Sequence, residues 1–314
     1  MFWAIIVLFA LCGLFLLPAV MLANTLYIRT SLDLSRPDVL EGTRWEPYAP
    51  ALTAGIPALA ALPWEDVSCR AYDGLRLHAY LMRGGGERTV ILVHGYRSSG
   101  FNDFCGIASY YLDRDFDVLL IDQRAHGKSE GRLSTFGVRE SRDVLRWVQY
   151  AEENLEGEIW LHGVSMGGNS VLTAAGQALP ARVRGIIGDS AFDSPVQILS
   201  YQFKRMLRKF PAELLIPFGK MAGVLLVGKD FVTGCASDAV AASEIPILLI
   251  CGDMDHTVPM NMSDPILTAG GNNRVRVVIH GARHAVCWLQ DEKTYAAALD
   301  RFLGAPETGK LPMQ

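Results

Sequence analysis

The feature that most constrains this chain is the run Gly163-Val164-Ser165-Met166-Gly167-Gly168. It follows the apolar stretch Glu158-Ile159-Trp160-Leu161-His162 and precedes the helix-like Asn169-Ser170-Val171-Leu172-Thr173-Ala174-Ala175. The order is strand, sharp turn, helix, with a serine at the turn. Glycines on both sides let neighbouring backbone approach without Cβ clashes, so the turn can be strained and tight. The serine hydroxyl is then presented to a cleft. G-x-S-x-G occurs often by chance, so its flanks and partners must carry the case. The bland alternative is a helix-capping serine after a strand.

The rest of the chain alternates in the same way. Val67 to Tyr72 and Leu75 to Met82 read as a hairpin turning at Asp73-Gly74. Short Val/Ile/Leu-rich runs follow at 89–93, 118–122, 159–162, 185–188, 247–251 and 275–279. Such runs fit strands buried on both faces of a parallel sheet. Arg139 to Glu152 carries Val144, Leu145, Val148 and Ala151 at helical spacing. Strands alternating with helices imply an α/β fold with right-handed crossovers. The 314 residues, 50% hydrophobic, suit one large domain with a sizeable core. The net charge of -4 and the absence of a basic stripe argue against a nucleic-acid partner.

Two segments break the rhythm. From Met1 to Ile28 there is no Asp, Glu, Lys or Arg. That run exceeds the about 20 apolar residues needed to span a bilayer. It is expected to form an N-terminal transmembrane helix over 1–28, with a Pro-containing linker over 29–64. Arg29, Arg36 and Arg44 after the span favour a cytoplasmic catalytic domain. The interval from Phe192 to Glu244 is far longer than one crossover helix needs. It holds apolar helical segments and is expected to form a helical cap at about 192–244 within a domain over 65–308. Lys204, Arg205, Arg208, Lys209 and Lys220 in it read as a solvated face. The six cysteines show no paired spacing and read as buried thiols of a reducing compartment.

A serine nucleophile needs a base to take its proton and an acid to orient that base. After Ser165 come Gly252-Asp253-Met254-Asp255-His256-Thr257-Val258-Pro259 and then Gly281-Ala282-Arg283-His284-Ala285, each just past an apolar strand. Ligands in open α/β sheets bind at such strand ends. Asp253, Asp255 and Asp189 all compete for the role of the acid on this reading. No metal-ligand spacing appears, and no cofactor is implied.

With these residues, Val93-His94-Gly95-Tyr96 and the run from Asp122 to Gly131, the chain resembles the α/β-hydrolase superfamily over roughly residues 67–304. The likeness is greatest to bacterial membrane-anchored members of the serine aminopeptidase and monoacylglycerol-lipase branch. It implies a mostly parallel central sheet with helices on both faces. It implies Ser165 as nucleophile, His284 as general base and Asp255, ahead of x-x-Val-Pro, as the orienting acid. The backbone N–H groups of Tyr96 and Met166 would form the oxyanion hole. Ala125 stands where the family's D-x-R-G-H-G-x-S loop usually has glycine. His94 and His126 read as loop braces.

The expected activity is hydrolysis of carboxylic esters or thioesters of apolar, lipid-like acyl substrates through an acyl-enzyme. A serine peptidase of the aminopeptidase type would need an acidic group to hold a free amine, and Glu213 is the only acid from Ser194 to Gly228. A binding protein on a hydrolase scaffold is the third reading.

Overall fold

The structure is a computed structural model that describes residues 16–27, 31–208 and 212–304. Its centre is an eight-stranded sheet: β1 (Glu65–Arg70), β2 (Arg76–Met82), β3 (Arg88–Val93), β4 (Phe116–Asp122), β5 (Glu158–Val164), β6 (Val183–Asp189), β7 (Ile247–Gly252) and β8 (Arg274–Ile279). The strand order is β1-β2-β4-β3-β5-β6-β7-β8. β1 and β2 are antiparallel, as are β2 and β4, and every later pairing is parallel. Asp73-Gly74 turns the first hairpin, with Gly74 at φ 86°.

Side chains alternate across the pleat, which divides the core into two layers. Along β3, Ile91 and Val93 pack with Val144, Trp147 and Val171 on one face. Val90 and Leu92 pack with Phe104, Tyr111, Tyr295 and Phe302 on the other. The helices Glu140–Asn154 and Met166–Ala174 cover the first face, and Ile107–Leu112 and Glu292–Leu303 cover the second. This is the mostly parallel, doubly covered sheet expected from the sequence. β5 lies inside it, so Ser165, directly after β5, sits over the middle of the sheet.

Between β6 and β7 the chain forms the helices Pro195–Met206, Ile216–Leu226, Asp230–Thr233 and Ala236–Ala241. Ser194 caps the first, accepting from the Gln197 N–H, with Pro195 at the first helical position. The stretch read as a linker carries a helix over Ala49–Ala60, and Leu34, Leu40, Leu52 and Ile56 bury together.

The expected membrane anchor has to be corrected. Of its 28 residues, 1–15 and 28 lie outside the described residues. Residues 16–26 are helical, and Leu22 and Leu26 are buried against Phe136, Met166, Phe192 and Met262. The Ser134 N–H donates to the Leu26 carbonyl at 2.8 Å, and the Tyr96 hydroxyl donates to the Thr25 carbonyl at 2.7 Å. Among the described residues no helix is long and apolar enough to cross a membrane. A lipid bilayer and an apolar protein surface are equivalent destinations for a run of Leu, Met and Ala, since both remove it from water. Here one face of the described part, with Leu22 and Leu26, lies against the protein, while Leu16, Leu17 and Val20 are exposed. The single-pass anchor, the membrane as partner and the cytoplasmic sidedness inferred from it lose their basis.

Candidate active site

Ser165 has φ 55° and ψ -113°, a left-handed conformation that side chains rarely adopt. The elbow holds it there from both sides. The Ser165 N–H donates to the Asp189 carbonyl of β6 at 2.7 Å, and its carbonyl accepts from the Asn169 N–H at 3.0 Å. The glycines are required by close backbone. A Cβ on Gly163 would meet the Gly167 carbonyl, and one on Gly167 would meet the Val93 carbonyl. With glycine at both places the helix Met166–Ala174 starts directly above β3 and β5.

The other two residues arrive from strand ends. Asp255 follows β7 and His284 follows β8. Asp255 Oδ2 lies 2.7 Å from His284 Nδ1, and His284 Nε2 lies 2.9 Å from Ser165 Oγ. A carboxylate only accepts, so Nδ1 carries the proton and Nε2 is left to accept from the serine hydroxyl. Asp255 Oδ1 accepts from the N–H groups of Thr257 and Val258, both at 2.8 Å. The Asp255 side chain is 1% exposed and that of His284 6%. The structure therefore brings together all three residues singled out in the sequence.

Met166 opens its helix, so its N–H has no acceptor within the helix and lies at the positive end of the dipole. Tyr96 lies between two committed amides. The Gly95 N–H donates to Asp103 Oδ2 at 2.6 Å and the Arg97 N–H to His126 Nε2 at 3.1 Å. A Cβ built on Gly95 would be 3.4 Å from Ser165 Cβ, which brings this loop against the nucleophile elbow.

The competing residues have other work. Asp253 is bonded to His280 Nδ1 at 2.9 Å and to the Gly281 N–H at 2.7 Å, at the surface. His94 Nε2 accepts from the Gln123 N–H at 3.1 Å, and burial pulls its pKa down to about 3, so its ring stays neutral. His126 bonds the Arg124 carbonyl and is likewise pushed down by burial. Both brace loops. Ala125 sits at φ 65°, where the glycine usual in the related loop would be unstrained.

Asp189 accepts from Ser190 Oγ at 2.9 Å and from the Tyr295 hydroxyl at 3.0 Å. Burial raises its pKa from 3.8 to about 6, against these hydrogen bonds, which lower it. The folded protein thus holds this proton more tightly than the unfolded chain. Stability from this group is present below pH 4 and is lost as pH rises from about 4 to about 6. The wild type is expected to lose on the order of 2 kcal/mol of stability between pH 4.5 and pH 8 through this group, and Asp189→Asn to lack that loss. Melting curves of both proteins at pH 8, 6 and 4.5 would check it.

Ser165, His284, Tyr96 and Met166 open on a cavity of about 580 Å³, within the range of small-molecule sites. Val196, Leu199 and Phe203 of the helix Pro195–Met206 line it, with Leu215 and Ile216 beyond. Pro18, Met21, Leu22 and Thr25 of the N-terminal helix and Arg44 and Trp45 of the following stretch complete it. Reasoning from the sequence misses this last wall. An apolar run and a Pro-containing stretch carry no spacing that points to a cleft. The Lys220 side chain, read as part of a solvated face, also borders the cavity, whereas Lys204 pairs with Glu213 at 3.1 Å.

Residues 88–220 match the family described as alpha/beta hydrolase fold. The chain is 25% identical over 231 residues to the uncharacterized protein YfhR of Escherichia coli O157:H7, covering 71% of this chain and 74% of that one. It is 23% identical over 245 residues to the mouse serine hydrolase BPHL, covering 71% and 81%. The esterase Pf2001 of Pyrococcus furiosus superposes with a TM-score of 0.63 at 23% identity, covering 79% of this chain and 92% of the esterase.

Proposed function

We propose that this chain, an α/β hydrolase by fold, is a serine hydrolase that cleaves carboxylic esters or thioesters through an acyl-enzyme on Ser165. The observation that carries the reading is the hydrogen-bonded chain Asp255–His284–Ser165 opening on an apolar cavity.

On this reading Ser165 Oγ attacks the substrate carbonyl carbon while its proton passes to His284 Nε2. Asp255 holds the imidazole in the tautomer that can receive that proton and stabilises the imidazolium that results. The carbonyl oxygen becomes an oxyanion, and the N–H groups of Met166 and Tyr96 receive it. When the tetrahedral centre collapses, His284 returns the proton to the leaving alcohol or thiol. Water then enters, gives its proton to His284 and attacks the acyl carbon, and His284 passes that proton to Ser165 Oγ as the acid leaves. The helices between β6 and β7, with Leu199, Phe203 and Leu215 on the cavity, act as a cap that binds the apolar part of the acyl group.

The aminopeptidase reading finds less support, because among the described residues no Asp or Glu lines the cavity to hold a free amine. Labelling with a fluorophosphonate probe tests the proposal. The wild type should be labelled and Ser165→Ala should not. A folded wild type that resists the probe would instead favour a non-catalytic binding protein. Among labelled outcomes, turnover of aminoacyl amides but not of acyl esters would favour the peptidase.

A further inference from the structure

The cavity carries more positive charge than a purely apolar acyl groove requires. Among the described residues, Arg44, Arg97 and Lys220 line it and no carboxylate does. Arg44 is the most constrained of the three. Its guanidinium lies over the Trp45 ring at 4.0 Å, and its Nε is buried with no hydrogen-bond partner among the described residues. Burial lowers its pKa, with Asp255 and Asp103 close enough to oppose that shift. Neither carboxylate is free to pair with it. Asp255 is held by His284, Thr257 and Val258. Asp103 accepts from the Gly95 N–H and from Ser98 Oγ, both at 2.6 Å.

A guanidinium stays charged at all ordinary pH values and offers its donors as a planar fork that fits a carboxylate. Placed beside an apolar cavity, it would be left unpaired by a purely hydrocarbon ligand, which is costly for a charge. A ligand bringing one carboxylate would satisfy it. Arg44 lines the same cavity as Ser165 and His284, and Asp103, whose charge acts on it, is bonded to Gly95, which lies against Ser165.

Resting on the hydrolase reading, we infer that Arg44 is the anion-recognising residue of the site, and that the substrate is an ester or thioester carrying a carboxylate a few bonds from the scissile group. This narrows the substrate from a simple apolar acyl ester to an acidic one.

Two esters of similar shape test it: mono-4-nitrophenyl glutarate, with a free carboxylate, and 4-nitrophenyl pentanoate, without one. The readout is the ratio of their kcat/KM values. Arg44→Gln is expected to lower that ratio at least about tenfold, the size of one charge-assisted hydrogen bond, and Arg44→Lys to restore part of it. An unchanged ratio, including an equal fall for both esters, would overturn the inference, because a merely structural Arg44 affects both alike. Binding of the same pair to Ser165→Ala, followed by calorimetry, separates this inference from the activity. If the wild type turns over neither ester and resists the fluorophosphonate probe, the hydrolase reading fails. Tighter binding of the glutarate that Arg44→Gln abolishes would still uphold the anion site, and equal binding of both would remove it.

Discussion

Asp255→Asn is expected to lower kcat for an ester substrate roughly 10⁴-fold with little change in KM, the size seen when a triad acid becomes an amide. The reason lies in the two oxygens of Asp255. Oδ1 accepts from the N–H groups of Thr257 and Val258, and Oδ2 accepts from His284 Nδ1. An asparagine keeps one acceptor only. With its oxygen retained by the two backbone amides, its NH₂ faces His284 and donates to Nδ1. The ring proton then moves to Nε2, which can no longer take the proton of Ser165. Substrate still enters the same cavity, so the loss falls on kcat. Asp253→Asn is the control. Asp253 bonds exposed His280 and the Gly281 N–H, and its loss should change kcat less than about threefold, as surface changes usually do. A large loss in Asp253→Asn with little in Asp255→Asn would reverse the assignment of the acid.

The second large effect is on folding. Gly167→Val is expected to destabilise the protein by about 3 kcal/mol and to abolish labelling of Ser165. Its Cβ would meet the Val93 carbonyl oxygen, with the His94 carbonyl oxygen at 2.7 Å. Both are backbone atoms at the end of β3, so no side chain can swing aside. Relief requires the start of the helix Met166–Ala174 to lift from the sheet, carrying the Met166 N–H and Ser165 with it. Gly55→Ala is the contrast. Gly55 lies in the helix Ala49–Ala60, and its added Cβ would meet only the Cys105 side chain, at an ordinary 3.6 Å from Sγ. Alanine there should be neutral or slightly stabilising. Melting curves of the two variants beside the wild type check both statements, and a Gly167→Val protein that melts like the wild type would contradict the close packing at the elbow.

The sheet was legible because its inner strands are buried on both faces and so read as short apolar runs. Leu92, Leu161 and Ile250 are each fully buried within their strands. The elbow was legible because its strained turn demands glycine in fixed places, a demand that leaves a local trace. Asp255 and His284 follow apolar strands and could be found by order. What stayed hidden depends on long-range geometry. Leu22 and Leu26 meet Met166 and Phe192 across more than a hundred residues, and nothing in an apolar run states which apolar surroundings it will enter. Arg44 reads as one basic residue after a hydrophobic segment, and only the folded chain brings it to the cavity that also holds Ser165.

The placement of residues 16–27 bears on how substrate preference can change over evolution. Pro18, Met21, Leu22 and Thr25 border the same cleft as the nucleophile, yet they belong to none of the strands or loops that carry Ser165, Asp255 or His284. Substitutions there can reshape the chamber while the reacting groups and the sheet stay untouched. A shortened chain that discards the leading segment as a dispensable leader would also discard one side of the vessel in which the reaction runs.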